Sequence, residues 1–193
     1  MAIEVELKAH ATDWQLLKDR IEKQKDLAGP LCEVKDDIYY CRTGEDALFR
    51  LRLEQSGPSF SSLQGQVVFT RKYKQMHQGI EVNQELEFCC EAKESEKAHA
   101  FFLSLGFEQY IRKTKKGYSY TWNVDQSLPP LHLELVEVGT LGWFLEMEFV
   151  LADEEKVPLA RTFLRTVLAQ LGVAEQQIES RYYMHLLKNQ TTG

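Results

Sequence analysis

Glutamate and lysine side chains alternate with apolar residues near the start of the chain. Residues 3–9 are Ile-Glu-Val-Glu-Leu-Lys-Ala, and this alternation predicts a β-strand with Glu4, Glu6 and Lys8 on one face. Two carboxylates and an ammonium on one face could hold a metal ion together with a phosphate group. The same pattern also fits an edge strand whose charged face lies in water. This segment alone leaves both interpretations open.

Five further segments carry like charges two residues apart. These pairs are Arg50 and Arg52, Lys72 and Lys74, Glu85 and Glu87, Lys113 and Lys115, and Glu146 and Glu148. Members of a pair lie about 6.5–7 Å apart on one strand face. If several pairs faced inward, they would repel unless opposite charges or a ligand lay between them. Acids and bases occur here in comparable numbers, so they could neutralise one another across a tunnel.

These residue types indicate a metal–polyphosphate site. Arginine binds phosphate oxygens bidentately, and lysine adds a point charge. Carboxylates that leave room for water suit Mg²⁺ or Mn²⁺, which bridge to phosphate oxygens. The sequence has no GxxxxGK[ST] segment, which excludes a P-loop.

The composition excludes several other classes of function. A net charge of −6 argues against nucleic-acid binding through a basic surface, although it allows a small anionic ligand. No apolar run approaches the roughly 18 residues that span a bilayer, and the first residues are not typical of a signal peptide, so we expect a cytoplasmic protein without a membrane partner. The cysteines and histidines show no paired-ligand spacing, which argues against a zinc site.

Apolar periodicity and turn residues divide the chain into helices and strands. Helices are predicted at residues 12–27, 95–105, 154–171 and 175–188, the first ending at Ala28-Gly29-Pro30. Strands are predicted at residues 2–9, 36–42, 47–54, 66–74, 80–89, 108–115, 117–124, 131–138 and 143–151. We expect a tight turn at residues 115–117 and a disordered tail at residues 189–193.

The short connections between these strands predict a mainly antiparallel sheet. One face of nearly every strand is charged and the other is apolar. The charged faces could lie in water on one side of an open sheet. Alternatively, about eight such strands could close into a barrel, with helices covering the apolar outside and charges lining the inside.

Several motifs resemble those of the CYTH superfamily, the triphosphate tunnel metalloenzymes. Glu4-x-Glu6-x-Lys8 is similar to the ExExK signature of this superfamily, and residues 141–148, Leu-Gly-Trp-Phe-Leu-Glu-Met-Glu, are similar to its LGxFxExE motif. Class IV adenylyl cyclases, thiamine triphosphatases and inorganic triphosphatases are members. The resemblance implies an α+β fold, in which an eight-stranded, mainly antiparallel closed β-barrel has helices packed outside. It covers nearly the whole chain, so we expect one domain over residues 1–188.

The resemblance also implies roles for individual residues. Metal ligands for Mg²⁺ or Mn²⁺ would be Glu4, Glu6, Glu146 and Glu148, and catalytic residues would be Lys8, Glu6 and Glu148. Triphosphate would be bound by Lys8, Arg50, Arg52, Lys72, Lys113 and Lys115. Acids that line the tunnel would be Glu85, Glu87 and Glu134.

Three positions depart from the motifs of this superfamily: Val136, Lys115, where arginine is common, and Tyr182, where serine often precedes the tyrosine of the C-terminal motif. Val136 stands where cyclase-like members usually carry an aspartate, and Glu134 and Glu137 are the acids nearby. Glu134 alternates better with His132, whereas a bulge could turn Glu137 inward.

Three functions are compatible with these residues. The first is hydrolysis of an inorganic or organic triphosphate, because the strands carry charges suited to phosphate and the sequence shows no obvious group that recognises a nucleobase. The second is an adenylyl cyclase that converts ATP to cyclic AMP and pyrophosphate. The third is a non-catalytic polyphosphate- or nucleotide-binding module. The feature compatible with this function is Val136, which stands where an acid is expected. The sequence leaves a monomer and a homodimer equally open.

Overall fold

Strands with alternating polar and apolar residues, together with helices, make up the chain, as the sequence predicts. A computed structural model describes residues 3–77 and 80–191, with side chains for all of these except 74–77 and 191. The strands are β1 Ile3–His10, β2 Leu27–Cys41, β3 Phe49–Gly57, β4 Gln64–His77, β5 Ile80–Glu91, β6 Glu108–Trp122, β7 Leu131–Val138 and β8 Trp143–Leu151. The helices are α1 Trp14–Glu22, α2 Ser95–Ser104, α3 Val157–Gln170 and α4 Tyr183–Thr191.

Within the described ranges, the eight strands form one closed barrel in the order β1-β5-β4-β3-β2-β6-β7-β8. Every neighbouring pair is antiparallel. The predicted eight-stranded barrel with helices outside is therefore confirmed, and the open sheet is excluded. Strands β1, β7 and β8 turn apolar side chains outward against the helices, whereas Leu86 and Phe88 of β5 are exposed.

The main hydrophobic core lies between the outer wall of the barrel and the helices α1 and α3. Leu7, Leu133 and Met147 from the wall belong to the same buried cluster as Ile21 of α1 and Leu164 of α3. A smaller cluster lies under α2, where the ring of Phe102 contacts those of Tyr40, Phe49 and Phe69. No described helix is long and apolar enough to cross a membrane.

Strand β6 corrects two of the predictions. The predicted strands 108–115 and 117–124 are one continuous strand, and the predicted turn at residues 115–117 is wrong. Gly117 suggested a turn, but it lies inside the strand because β7 approaches it closely. A Cβ at this position would collide with the carbonyl oxygen of Leu135 and lie 2.7 Å from the Cα of Val136.

Helix α1 is shorter than predicted. Asp13 caps it as expected, accepting a hydrogen bond from the backbone nitrogen of Leu16 at 3.0 Å. The helix ends at Glu22 rather than near residue 27, because residues 27–41 form β2 and pair with β6. Gly29, expected to stop the helix, instead has a φ of 118° at a register shift in this strand pair. Pairing with β6 thus outweighs the local helix signal.

The predicted fourth helix is interrupted. A short 3₁₀ turn covers Glu175–Gln177, and α4 starts only at Tyr183. Between them, Ile178 forms a β-bridge with Ala9, and the backbone nitrogen of Glu179 donates to the carbonyl of Lys8 at 2.9 Å. Helix α4 includes residues 189–191 of the tail predicted to be disordered, whereas residues 192 and 193 lie outside the described part.

We predict that Gly117→Ala lowers the free energy of unfolding by about 3 kcal/mol, because the added methyl group forces β6 and β7 apart. Chemical denaturation measures this change. Thr121→Ala, at an exposed position of the same strand, is the matched control and should change stability far less. Equal effects of the two substitutions would contradict the close approach at Gly117.

Candidate functional site

The charged strand faces enclose a cavity inside the barrel. Its volume is about 510 Å³. Each predicted site residue contributes to its lining: Glu4, Glu6, Lys8, Arg50, Arg52, Lys72, Glu85, Glu87, Lys113, Lys115, Glu134, Glu146 and Glu148. The side chain of Lys74, which the sequence pairs with Lys72, lies outside the described residues. Strand alternation therefore identified the inward-facing residues correctly.

Three of the carboxylates form a cluster, which we call the carboxylate cluster: Glu4, Glu6 and Glu148. The register of β1 and β8 places Glu6 opposite Glu148, and Glu4 follows on the same face of β1. One oxygen from each residue lies within 4.8 Å of the others. Octahedral oxygen ligands at about 2.1 Å from Mg²⁺ lie about 3.0 Å apart when adjacent and about 4.2 Å apart when opposite, so the three oxygens would move closer together to hold one Mg²⁺ or Mn²⁺ ion.

Burial and mutual repulsion set the protonation of this cluster. Burial raises the pKa of Glu148 to about 8, and the charges of Glu4 and Glu6 add to the effect. Burial also raises the pKa of Glu6, reinforced by Glu81 and Glu146. Among the described residues, neither Glu6 nor Glu148 forms an ion pair with a cation. A divalent cation would supply the missing positive charge.

Glu4 differs from its two neighbours in the cluster. Burial would raise the pKa of Glu4, but the charges of Lys72 and Arg50 and the hydrogen bonds with Glu85 and Lys72 together outweigh burial and lower it. The Nζ atom of Lys72 donates to Oε2 of Glu4 at 2.7 Å and also forms an ion pair with Glu85. Burial raises the pKa of Glu85 to about 8, although Lys72 opposes this rise.

Glu146, the fourth proposed metal ligand, is engaged elsewhere. Its Oε1 accepts a hydrogen bond from the Tyr183 hydroxyl at 2.6 Å, and its Oε2 forms an ion pair with Lys115. Burial would raise the pKa of Glu146, but the charges of Lys115 and Lys113 and the hydrogen bond with Lys115 together outweigh burial and lower it. The structure therefore keeps Glu146 outside the carboxylate cluster, in contact with a lysine and the first residue of α4.

A buried aspartate forms ion pairs with three of the phosphate-binding candidates. Asp37 is 0% exposed. It accepts hydrogen bonds from Nε and Nη2 of Arg52 at 2.6 and 3.0 Å, and its Oδ2 lies 2.9 Å from Nζ of Lys113 and 3.9 Å from Nη1 of Arg50. Burial would raise the pKa of Asp37, but Arg52 and Lys113 outweigh it and hold the pKa well below its usual range.

The remaining inward-facing charged side chains also form ion pairs or hydrogen bonds with neighbouring residues. Nζ of Lys8 lies 3.1 Å from Glu81, and Nζ of Lys115 lies 3.6 Å from Glu134. Glu87 lies at an exposed part of the cavity wall, where it accepts a hydrogen bond from Thr70 at 2.6 Å. These cations are held in fixed positions by carboxylates before any phosphate is bound.

The geometry around Val136 distinguishes the two nearby acids. Glu134 faces the cavity, forms an ion pair with Lys35, and lies 3.1 Å from Nε2 of His132. Glu137 is exposed on the other face of β7, where the register with β8 is regular and no bulge turns it inward. Val136 itself is buried in a cluster with Phe144 and Tyr183. Only Glu134 of the two acids can therefore act inside the barrel.

Sequence reasoning missed several residues that line the cavity. Four charged or hydroxyl-bearing residues contact the predicted ones, namely Lys35, Asp37, Glu81 and Tyr183, and all of these except the fully buried Asp37 line the cavity. Alternation through residues 35–39 and 81–87 could have identified the first three. It did not identify Lys35 because the predicted strand began at residue 36. Tyr183 comes from a distant helix, so no strand pattern indicates it.

Comparison with protein families gives one match across most of the chain. The model of the CYTH domain matches residues 2–183. A comparison with curated protein sequences gives no match. Among solved structures, the PH1819 protein from Pyrococcus horikoshii OT3 is similar, with 25% identity, a TM-score of 0.78, and coverage of 97% of this chain and 99% of that chain.

Two further solved structures share the fold at lower identity. A candidate adenylate cyclase from Vibrio parahaemolyticus is 16% identical with a TM-score of 0.72, covering 96% of this chain and 98% of that chain. The candidate adenylyl cyclase HpAC1 from Hippeastrum, for which a dominant triphosphatase activity is described, is 13% identical with a TM-score of 0.64, covering 98% of this chain and 96% of that chain.

The metal-free protein should lose stability as the pH rises from about 4.5 to about 8. The pKa values of Glu148 and Glu85 rise from 4.5 to about 8 in the folded protein. The folded state therefore binds more protons than the unfolded state in this range, and the free energy of unfolding falls as those protons leave. Chemical denaturation with a chelator present, at a series of pH values, measures the slope.

Variants of this experiment isolate Glu148. Glu148→Gln should make the slope shallower, because its side chain no longer titrates. Glu137→Gln, which changes an exposed glutamate on the adjacent strand, should leave the slope unchanged. A slope of the opposite sign in the wild-type protein would contradict the raised pKa values.

Binding of Mn²⁺ should release protons below pH 8. Because the carboxylate of Glu148 has a pKa of about 8, a bound cation must displace its proton. The dissociation constant for Mn²⁺ should therefore fall by up to about tenfold per pH unit as the pH rises from 6 to 8. Isothermal titration calorimetry in buffers of different ionisation enthalpy measures both the affinity and the proton release. An affinity independent of pH over this range would contradict the prediction.

Proposed function

This chain belongs to the CYTH domain family, and from that premise we propose that it hydrolyses an inorganic or organic triphosphate with the help of Mg²⁺ or Mn²⁺. The observation that carries the proposal is the separation of charge inside one cavity. Glu6 and Glu148 lie in an acidic cluster, whereas Arg50, Arg52 and Lys113 lie together around Asp37. A chain of phosphates coordinated by a metal ion needs both kinds of surface at once.

The carboxylate cluster would hold the metal ion. Its three residues offer hard oxygen ligands with the spacing described above, and leave coordination positions for water and phosphate oxygens. When bound, the ion would polarise the phosphate oxygens and lower the repulsion between the substrate and the acidic wall. We assign this role to Glu4, Glu6 and Glu148, and leave Glu146 to position Lys115 and Tyr183.

The basic side chains would bind and orient the phosphate chain. Arg52 and Lys113 are fixed by Asp37, so their remaining N–H groups can meet phosphate without a large loss of side-chain freedom. Arg50 also lines the cavity, where its Nη1 atom lies 3.9 Å from Oδ2 of Asp37. Lys8, which adjoins the cluster on β1, would orient the terminal phosphate.

A cyclase reaction is the second candidate, and aromatic side chains favour it. Tyr39 and Tyr182 line the same cavity as the charged residues, and the Nζ atoms of Lys113 and Lys8 lie 5.6 and 6.0 Å from the centres of their respective rings. Their rings offer surfaces on which a nucleobase could stack. Hydrolysis remains the first candidate, because the strongly charged lining suits the phosphate chain common to all triphosphates.

A panel of substrates and metals tests the proposal on the purified protein. ATP, inorganic triphosphate and thiamine triphosphate are each incubated with Mg²⁺ or Mn²⁺, and the products are separated by chromatography. Orthophosphate from any of the three supports hydrolysis. Cyclic AMP and pyrophosphate from ATP would replace it with the cyclase. Tight binding of triphosphate without any product would instead assign a binding module.

Removing either central carboxylate should abolish turnover but leave the fold intact. We expect Glu6→Gln and Glu148→Gln each to lower kcat by about 100-fold or more, because each removes a charged ligand from the metal ion. Melting temperatures should not fall, because both variants relieve repulsion between like charges. Glu137→Gln is the matched control, because it makes the same chemical change on the outer face of the barrel. Wild-type turnover in Glu6→Gln or Glu148→Gln would rule out the assigned metal site.

A further inference from the structure

The ammonium group of Lys72 lies against the carboxylate cluster. Its Nζ atom donates to Oε2 of Glu4 at 2.7 Å, and Glu85 forms a second ion pair with it. The charge of Lys72 also opposes the rise in the pKa values of Glu6 and Glu148. Lys72 thus provides part of the positive charge that the cluster requires when no metal ion is bound.

Other lysines of the cavity have partners outside the cluster. Lys8 pairs with Glu81, Lys113 with Asp37, and Lys115 with Glu146 and Glu134. Among the described side chains, these ion pairs would all persist if a cation joined the cluster. The pair between Lys72 and Glu4 would not, since a divalent ion on Glu4 would repel the adjacent ammonium.

Lys72 has an alternative position available when it leaves Glu4. Its side chain lines the cavity and is 19% exposed, so its flexible stem can move toward the open volume. On β5 the residue opposite Lys72 is Glu85, whereas on β3 the phosphate-binding candidate Arg50 pairs with Thr70, two residues before Lys72 on the same face of β4. An ammonium displaced from Glu4 would therefore add to the phosphate-binding surface.

We propose that Lys72 acts as an internal stand-in for the metal ion and couples metal binding to phosphate binding. In the metal-free protein it neutralises Glu4, and metal binding displaces it toward the phosphate site. Because coupling between two ligands is reciprocal, an oxyanion bound to Lys72 must strengthen metal binding equally. This inference rests on the proposed function in one respect, namely that the metal ion binds the carboxylate cluster.

Direct metal titration tests the displacement without measuring turnover. The dissociation constant for Mn²⁺ is measured by isothermal titration calorimetry on the wild-type protein, Lys72→Met and Lys113→Met. Lys72→Met should bind Mn²⁺ at least tenfold more tightly, because no ammonium competes for Glu4. Lys113→Met removes the same charge from the cavity but away from the cluster, and should change the affinity less than about threefold. Lys72→Gln replaces Lys72→Met if the latter does not fold.

Sulfate serves as the oxyanion probe for the coupling. Saturating sulfate should tighten Mn²⁺ binding to the wild-type protein, and this gain should disappear in Lys72→Met. Lys72→Arg, which keeps the charge, should retain the gain. Unchanged or weaker Mn²⁺ binding by Lys72→Met, beside a wild-type protein that binds Mn²⁺, would overturn this inference and leave the proposed function standing. No Mn²⁺ binding by any of these proteins would overturn both.

Discussion

Closing the barrel removes charged side chains from bulk water, so each inward charge needs an opposite charge close by. Asp37 shows this requirement most clearly, because it is completely buried yet stays ionised between Arg52 and Lys113. Lys8 and Glu81 satisfy the same requirement between β1 and β5. The partners come from neighbouring strands, so the balance depends on the pairing of those strands. The interior therefore depends on the pairing of strands for its electrostatics as well as its shape.

The outer wall supplies the driving force that holds this charged interior together. Leu133 and Met147 alternate with inward-facing acids on β7 and β8, and they pack with Leu164 of α3. Each buried apolar side chain of this size contributes roughly 1.5–3 kcal/mol relative to exposure. Alternation along a strand links the two surfaces, since a residue that faces the helices forces its neighbours to face the cavity. Helices α1 and α3 thus fix the inward direction of the charged residues from outside the barrel.

The carboxylate cluster is where the internal balance of charge is incomplete. Glu6 and Glu148 have raised pKa values because burial and neighbouring acids disfavour their charged forms. Lys72 compensates the cluster only at its Glu4 end. Elsewhere in the cavity, Asp37 and Glu146 have lysine or arginine partners that keep their pKa values low. An excess of negative charge beside ordered cations is the property that suits a metal ion with a phosphate ligand.

The sequence alone determined which residues face the cavity, because a period of two residues assigns faces locally. It also indicated a mainly antiparallel sheet, and the resemblance of its motifs implied the closed barrel and the family. Only the tertiary structure decided which charges meet: the β1–β8 register joins Glu6 to Glu148, and α4 brings Tyr183 to Glu146. The same holds for Gly117, a turn signal that lies within a strand because β7 passes against it. Strand register and helix docking depend on contacts between distant segments, and a local pattern carries no information about them.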